Sequence, residues 1–295
     1  AFEVHMASWP DMPAWLADMK RDAWKRFKEL PSPERRLEAW RFAKTDDLAL
    51  DAFPLVPPSL PEGAQPSPVV ECSGCLDFVD GVYCGGHAVD EELLRRGLIF
   101  MPLRRAIAEH ESLVREHLFE RMPDLGSEKY QALHVAMFSD GVFVHVPRGM
   151  EIALPLAALH ESKAGTPLFP HSLVVAEEGA SLDFLEICRS QDGAPKTFVC
   201  AATDLLAMRD ARIRRRTVQD WNRDSLAFHL DCSTAGDSSL VDVIGINLGA
   251  SHLRGEQHGR IAGRGADVRM LSLSLATGSQ QMDQRTLQTH DAPDG

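Results

Sequence analysis

The sequence predicts an α+β fold that is mainly β, in which a helical N-terminal domain precedes a β-solenoid. Three observations carry this reading. A turn of small residues followed by alternating apolar positions recurs in the second half of the chain, first as Gly179-Ala180-Ser181 ahead of Leu182, Phe184, Leu185 and Ile187. Gly236-Asp237 stands ahead of Val241, Val243, Ile244 and Ile246, and Gly265-Ala266-Asp267 ahead of Val268, Met270, Leu271 and Leu273. Between Asp11 and Leu30, by contrast, apolar residues fall at three- and four-residue steps, the period of an amphipathic helix. Six prolines, at 54, 57, 58, 61, 66 and 68, separate the N-terminal helices from the remainder of the chain. Leu182 and Val241 lie two steps of ~29 residues apart and Val268 comes after a further ~27, the spacing of stacked supersecondary units. A weaker copy sits between them at Ala211 and Ile213. In each copy the alternation slips by one residue, which exchanges the two faces of a strand, so each slip reads as a corner between two short strands. Units of this kind bury their faces by stacking; an ordinary β-sandwich is the competing architecture.

Taken in order, the first element is a helix with Met12, Trp15, Leu16, Met19, Ala23, Phe27 and Leu30 on one face, stopped by Pro31 and Pro33. A second short helix is expected near Glu34, carrying Leu37 and Trp40 inward. The proline-dense stretch forbids regular structure and acts as an extended linker. Phe78, Val79, Val82 and Tyr83 around Asp80-Gly81 read as a hairpin. Asp90 is placed to cap a short helix that ends at Gly97, and Leu103, Ala106, Ile107, His110, Leu113, Val114 and Leu118 predict one longer helix. From Met137 onward short alternating runs dominate, including Val142 to Val146, Leu173 to Val175 and Leu240 to Leu248. The expected divisions are a helical hairpin over 1–50, a linker over 51–70, a mixed segment over 71–136 and the solenoid over 137–295. No closing helix comes after the last β pattern before Gly295, so a solenoid core truncated at its C-terminal end is expected, its open edge covered by a partner, by further chain or by a second copy in a homodimer.

Composition narrows the function classes. The net charge of −12 argues against nucleic acid as a partner, because phosphate binding draws on clustered Lys and Arg. No apolar run approaches the ~20 residues of a membrane helix, and the start of the chain lacks the pattern of a secretory signal. A cytoplasmic protein with no membrane partner is the expectation, and the six irregularly spaced cysteines read as reduced thiols.

Few residues suggest chemistry. Cys72-x-x-Cys75 with Cys84 and His87 shortly after could supply four zinc ligands if the hairpin brings them together; small apolar residues in a strand pair are the plainer reading. His145, His160, His171, His229, His252, His258 and His290 are scattered and are assigned no metal. There is no G-x-S-x-G, P-loop or complete dinucleotide glycine pattern. Along a strand, Arg212, Arg214 and Arg216 share one face and Ala211, Ile213 and Arg215 the other; the basic face is either a solvated wall or a dock for an acidic partner.

Several segments carry a family likeness. Glu38-Ala39-Trp40-Arg41-Phe42-Ala43-Lys44-Thr45 resembles the E-x-W-R-[YF]-T segment near the start of SufD-type proteins. Residues 138–149, from Phe138 through Val146-Pro147-Arg148-Gly149, with Pro155-Leu156 resemble F-S-x-G-x-F-[VI]-x-V-P-K-G … P-L of the SufB/SufD family. Residues 173–186, from Leu173 through Glu177-Glu178-Gly179-Ala180 to Glu186, resemble its L-I-V-x-E-x-G-A … E stretch. The likeness spans nearly the whole chain.

The resemblance implies a non-enzymatic scaffold of the SUF iron-sulfur cluster assembly system, with a right-handed parallel β-helix after the helical domain. It implies a SufB-like paralogue and the SufC ATPase as partners, sulfur arriving indirectly from a cysteine desulfurase, and a transient cluster in the full complex with no cofactor in this chain. Glu186-Ile187-Cys188 and Thr217-Val218-Gln219-Asp220-Trp221 resemble the E-G-C and T-x-Q-N-W segments implicated in passing sulfur in the SufB branch, so Cys188, Gln219 and Trp221 become site candidates by resemblance. Ile187 and Asp220 depart from those patterns, and rung-filling core residues are the competing reading of Cys188 and Trp221. The family's SufC-binding helices lie beyond the segment matched by Gln280 to His290, so this chain alone is expected not to bind SufC. A β-helix carbohydrate-active enzyme, with Asp183 and Asp242 in comparable rungs, and a zinc module remain the alternatives.

Overall fold

Successive strands in the second half of the chain pass back and forth between two sheets. In the computed structural model, which describes residues 1–43, 45, 48, 50, 53, 55–66 and 71–293, these strands are β4 (Gly141–Val146), β5 (Leu156–Ser162), β6 (His171–Ala176), β7 (Ser181–Ser190), β8 (Phe198–Ala207) and β9 (Arg212–Asp220). They continue as β10 (Leu226–Ala235), β11 (Leu240–Asn247), β12 (His252–Ile261), β13 (Asp267–Ser274) and β14 (Gln281–His290). Odd strands from β5 stack in parallel in one sheet and even strands from β4 in the other. Each pair therefore makes one turn of a β-solenoid of about five turns. Leu182, Ile213, Val241 and Val268 are partners in register and point inward, where Leu205, Ala235 and Ile261 of the other sheet meet them. A fully buried aliphatic side chain of this kind contributes ~1.5–3 kcal/mol, which fixes the register against a one-residue slip.

The turn before each odd strand requires one residue in the left-handed region. Gly179 (φ 69°) and Gly265 (φ 65°) supply it without a Cβ penalty. Asp210 (φ 58°) and Ser238 (φ 54°) fill the same place in the two turns between, so the left-handed residue of the second copy is Ser238 and not Gly236. The weak copy at Ala211 and Ile213 is a full strand, β9, whose turn uses aspartate instead of glycine.

An antiparallel strand closes the N-terminal edge of each sheet. β1 (Gly74–Val79) and β2 (Val82–His87) form the expected hairpin, with Asp80 (φ 47°) and Gly81 (φ 80°) both left-handed as a tight two-residue turn demands. β3 (Ile99–Pro102) adds to the other sheet beside β4. Helices α1 (Phe2–Ala7), α2 (Ala14–Glu29), α3 (Glu91–Arg95), α4 (Leu103–Glu109), α5 (Glu111–His117) and α6 (Glu128–Met137) complete the described elements, with a 3-10 turn at Glu38–Trp40. Trp40, Tyr130 and Leu133 cover Phe198, Phe228 and Leu230 on the outer face of the even sheet, Tyr130 stacking on Phe228 at 3.8 Å. The Asp90 side chain accepts from Glu92 N–H and caps α3.

Several local expectations are corrected. The predicted corners are absent: β7 runs unbroken for ten residues with strict burial alternation, because the inward positions turn polar at Glu186 while Leu185 and Ile187 face outward. The single helix through Leu118 is two, broken at His110 (φ −132°, ψ 39°), which a straight helix would have buried on the apolar stripe. Leu37 precedes the 3-10 turn in extended conformation and is 45% exposed, whereas Trp40 is buried. Met137 ends α6 instead of opening the β region; α6 buries seven of its ten residues and so lacks an amphipathic stripe. Pro54 and Pro68 of the linker, Lys44 of the Trp40-centred motif and Gly295 at the chain end lie outside the described residues.

Candidate functional site

The inward faces of the strands change character halfway along. In the odd sheet the apolar layer of Leu182, Phe184, Ile213, Val241 and Val243 gives way to Glu186, Cys188, Arg215, Thr217, Gln219 and Asn247. Parallel register then lines up His160, Cys188, Gln219, Asn247 and Ser274 as one ladder through five successive strands. The facing strands add Ser172, Thr203, His229, Asp231 and Gln257. The result is a polar stripe enclosed by the solenoid.

Arg215 organises it. The side chain is 4% exposed, its Nε donates to Glu186 Oε2 at 2.6 Å, and its Nη1 donates to Asp231 Oδ2 at 2.9 Å across the interior. Ser172 Oγ donates to the other Glu186 oxygen at 2.5 Å. Burial would raise the Glu186 pKa, but Arg215, His160 and Ser172 outweigh it and hold the carboxyl below its ordinary value. Burial likewise opposes the Arg215 charge, and the two carboxylates reverse that effect and raise its pKa. Burial pushes His160 down to about 4 and lowers His229, so both are neutral imidazoles at pH 7. A water-sized cavity of about 10 Å³ lies beside Arg215 and Asn247, lined also by Thr217, His229 and Gln257. Thr217 Oγ1, His229 Nε2 and Gln257 Oε1 have no partner among the described residues.

The three candidates from the sequence meet here. Cys188 and Gln219 are register partners, and Trp221 packs with Cys188, Val199, Ala227 and Leu253. Gln219 is committed to the backbone: its Oε1 accepts from Trp221 N–H at 2.8 Å and its Nε2 donates to Gly249 O at 3.2 Å. Cys188 is buried, and burial together with the Glu186 charge pushes its thiol pKa up, away from the thiolate that nucleophilic attack requires. Glu186, Arg215, His160, His229 and Asp231 were not singled out as a site from the sequence. A charged residue in phase with Ala211 and Ile213 was the available signal for Arg215.

The other constellation does not converge. Cys75 Sγ donates to Asp77 Oδ1 at 3.1 Å and Cys84 Sγ to the Asp77 carbonyl at 3.4 Å, and burial raises both thiols. Cys75 pairs across the hairpin with His87, but among the described residues no group of three His, Cys, Asp or Glu side chains is placed to hold a metal. Arg212, Arg214 and Arg216 do face outward; Arg214 pairs with Asp183 at 2.7 Å and Arg216 with Asp242 at 3.3 Å. Asp183 and Asp242 thus serve as counter-ions of one ladder. Among the described residues no helix is long and apolar enough to cross a membrane.

These features define a class: a parallel β-solenoid with a helical cover and a polar interior built around Arg215, Glu186 and Asp231. The comparisons give the family. The SufBD protein N-terminal region matches residues 9–157, and the SufBD core domain of the SUF system for FeS cluster assembly matches residues 159–295. The chain belongs to the SufBD family of the SUF iron-sulfur cluster assembly system. It is similar to iron-sulfur cluster assembly SufBD family proteins of Staphylococcus epidermidis, Staphylococcus haemolyticus and Staphylococcus aureus, each 26% identical over 208 residues. That alignment covers 70% of this chain and 44% of the relatives, so the chain spans about half the length of the proteins it matches.

Proposed function

We propose that this chain is the scaffold part of a SufD-type subunit, without catalytic activity of its own, that pairs with a SufB-like paralogue and works with the SufC ATPase while a cluster is built as cargo. The observation that carries this reading is the family match along both the helical region and the solenoid. The Trp40 segment supports the SufD-type assignment: Trp40 Nε1 donates to Gly126 O at 2.7 Å, and the buried Arg254 guanidinium lies 4.0 Å from its ring, tying the motif to β12. A stack of in-register strands suits the role because it moves as a rigid body between partners. Affinity purification of the full-length protein from its own cells is expected to recover an ATPase and a paralogous SufBD protein. Recovery of neither would refute the assignment.

Within that reading, Cys188, Gln219 and Trp221 are proposed to lie on a sulfur path through the polar stripe. Their adjacency in register supports it. Cys188→Ser in the full-length protein is expected to lower acid-labile sulfide in the purified complex while leaving the complex assembled. Unchanged sulfide returns Cys188 to a core-filling role.

A further inference from the structure

The two sheets of the solenoid differ in what covers them. On the even sheet α4 and α6 pack against the outer face, and the outward side chains of Leu173, Phe228 and Leu230 are buried. On the odd sheet the outward side chains of β7, β9, β11 and β13 are all half-buried or exposed. Many of them are apolar. Ile187, Val218, Ile246 and Leu273 are register partners and run as one column across the four strands. Leu185, Ile244 and Leu271 form a second column beside it, interrupted by Arg216, whose guanidinium folds back onto the carbonyl and carboxylate of Asp242 at 3.3 Å. Leu271 and Leu273 are each 52% exposed, an arrangement that favours burial against another surface.

A third column says what that surface is. Asp183, Arg214, Asp242 and Arg269 are register partners on the same outward face, so their charges alternate along the stack. Such a series presents no single sign to an acidic or a basic partner. Reversed, it is its own complement. A two-fold axis parallel to the strands and midway between β9 and β11 turns the face over and reverses the stack, so that every column meets itself in the opposite order. Arg214 of one copy then meets Asp242 of the other, Asp183 meets Arg269, Val218 meets Ile246 and Ile187 meets Leu273. Strand directions stay aligned, as in face-to-face packing of sheets ~10 Å apart. The ion pairs within one copy, Arg214 with Asp183 at 2.7 Å and Arg216 with Asp242 at 3.3 Å, are partly exposed and therefore weak enough to be shared across the contact. We propose that the outer face of the odd sheet is an isologous docking surface for a second copy of this chain. The three columns span about 14 Å by 13 Å, at the small end of specific interfaces, so the dimer is weak and concentration-dependent. It leaves the backbone edges of β13 and β14 open and is independent of the SufD-type role proposed above.

Exchange of the two central charges tests the symmetry. Sedimentation equilibrium of the full-length protein is expected to show a monomer–dimer equilibrium. Arg214→Asp and Asp242→Arg each place like charges across the axis twice, and each variant alone is expected to self-associate about tenfold more weakly or worse. Mixed in equal amounts, the two variants pair the new aspartate with the new arginine and the native Asp242 with the native Arg214, so association is expected to return to about the wild-type strength. Recovery on mixing also shows that both variants are folded. Leu273→Lys, at a half-exposed position where folding tolerates the change, is expected to weaken the dimer by a similar factor without any charge being exchanged. The proposal is overturned by a protein that stays monomeric at every concentration, by self-association that the variants leave unchanged, or by variants that weaken it without recovery on mixing. Binding of a paralogous SufBD protein in place of self-association, disrupted by the same variants, would assign the face to that partner and overturn it as well.

Discussion

Arg215 shows how a single residue can make a polar interior tolerable. Two carboxylates taken from water into a solenoid would cost several kcal/mol each, and the guanidinium offsets this only because both Glu186 and Asp231 accept from it directly. Removing the cation is therefore worse than removing the whole group. Arg215→Met is expected to destabilise the chain by ~3–5 kcal/mol, since it leaves two buried carboxylates without their partner. The triple variant Arg215→Met, Glu186→Gln, Asp231→Asn should recover most of that loss. Urea unfolding with an unchanged m-value checks both. A full loss in the triple variant would mean that shape complementarity and not charge holds the stripe together.

At the scale of elements, α6 is held at its C-terminal end by a residue from α2. Lys20, fully buried, donates from Nζ to the carbonyls of Ala136 at 3.0 Å and Phe138, and approaches His5 Nε2 at 3.2 Å. The last carbonyls of a helix lack intrahelical donors, so the Lys20 N–H groups satisfy them, while burial pushes the pKa of the amine well below its ordinary value. Lys20→Met is expected to cost ~2–3 kcal/mol by leaving buried acceptors unmade. Amide hydrogen exchange should show the loss of protection concentrated in residues 133–138. Lys20 was hidden in the sequence for a physical reason: it occupies the apolar stripe with Leu16, Ala23 and Phe27, where its charge made it look like a solvated position. The solenoid was legible because Leu182, Ile213, Val241 and Val268 repeat at the stacking period. The polar stripe was not, because Glu186 and Gly245 stand where the apolar pattern should continue, and a polar interior imitates a corner. Cys188, Gln219 and Trp221 were reached through family likeness; Glu186 and Arg215 share strands with Cys188 and Gln219, but the Ser172 and Asp231 that bond to them lie on the facing sheet, 14 and 16 residues away in sequence, and needed the register.

For the molecule as a whole, the buried histidines set the dependence of stability on pH. Burial is the largest cause lowering His5, to about 3, and His160, to about 4, and it also lowers His134 and His229. In the unfolded chain these four titrate near pH 6.5, so as pH falls through that value the unfolded state takes up protons that the folded state refuses. Their contribution is complete above about pH 7 and is lost toward the folded values. Asp140, raised by burial to about 6, and Asp204, also raised by burial, act in the opposite sense, because the folded state binds their protons first. Burial also lowers Lys20 and His258, which act with the histidines, and raises Glu256, which acts with the aspartates, so the groups that favour unfolding outnumber those that oppose it and stability falls as pH drops through about 6.5. Glu186, held below its ordinary value mainly by Arg215 against the effect of burial, adds a further loss below about pH 4.5. The urea midpoint is therefore expected to fall as pH drops below about 6.5. His160→Gln should remove one proton from the slope while Arg215 and Glu186 stay paired. A midpoint that stays level down to pH 5 would mean that the interior hydrates and accepts the protons, and the polar stripe would then be an open channel and not a closed core.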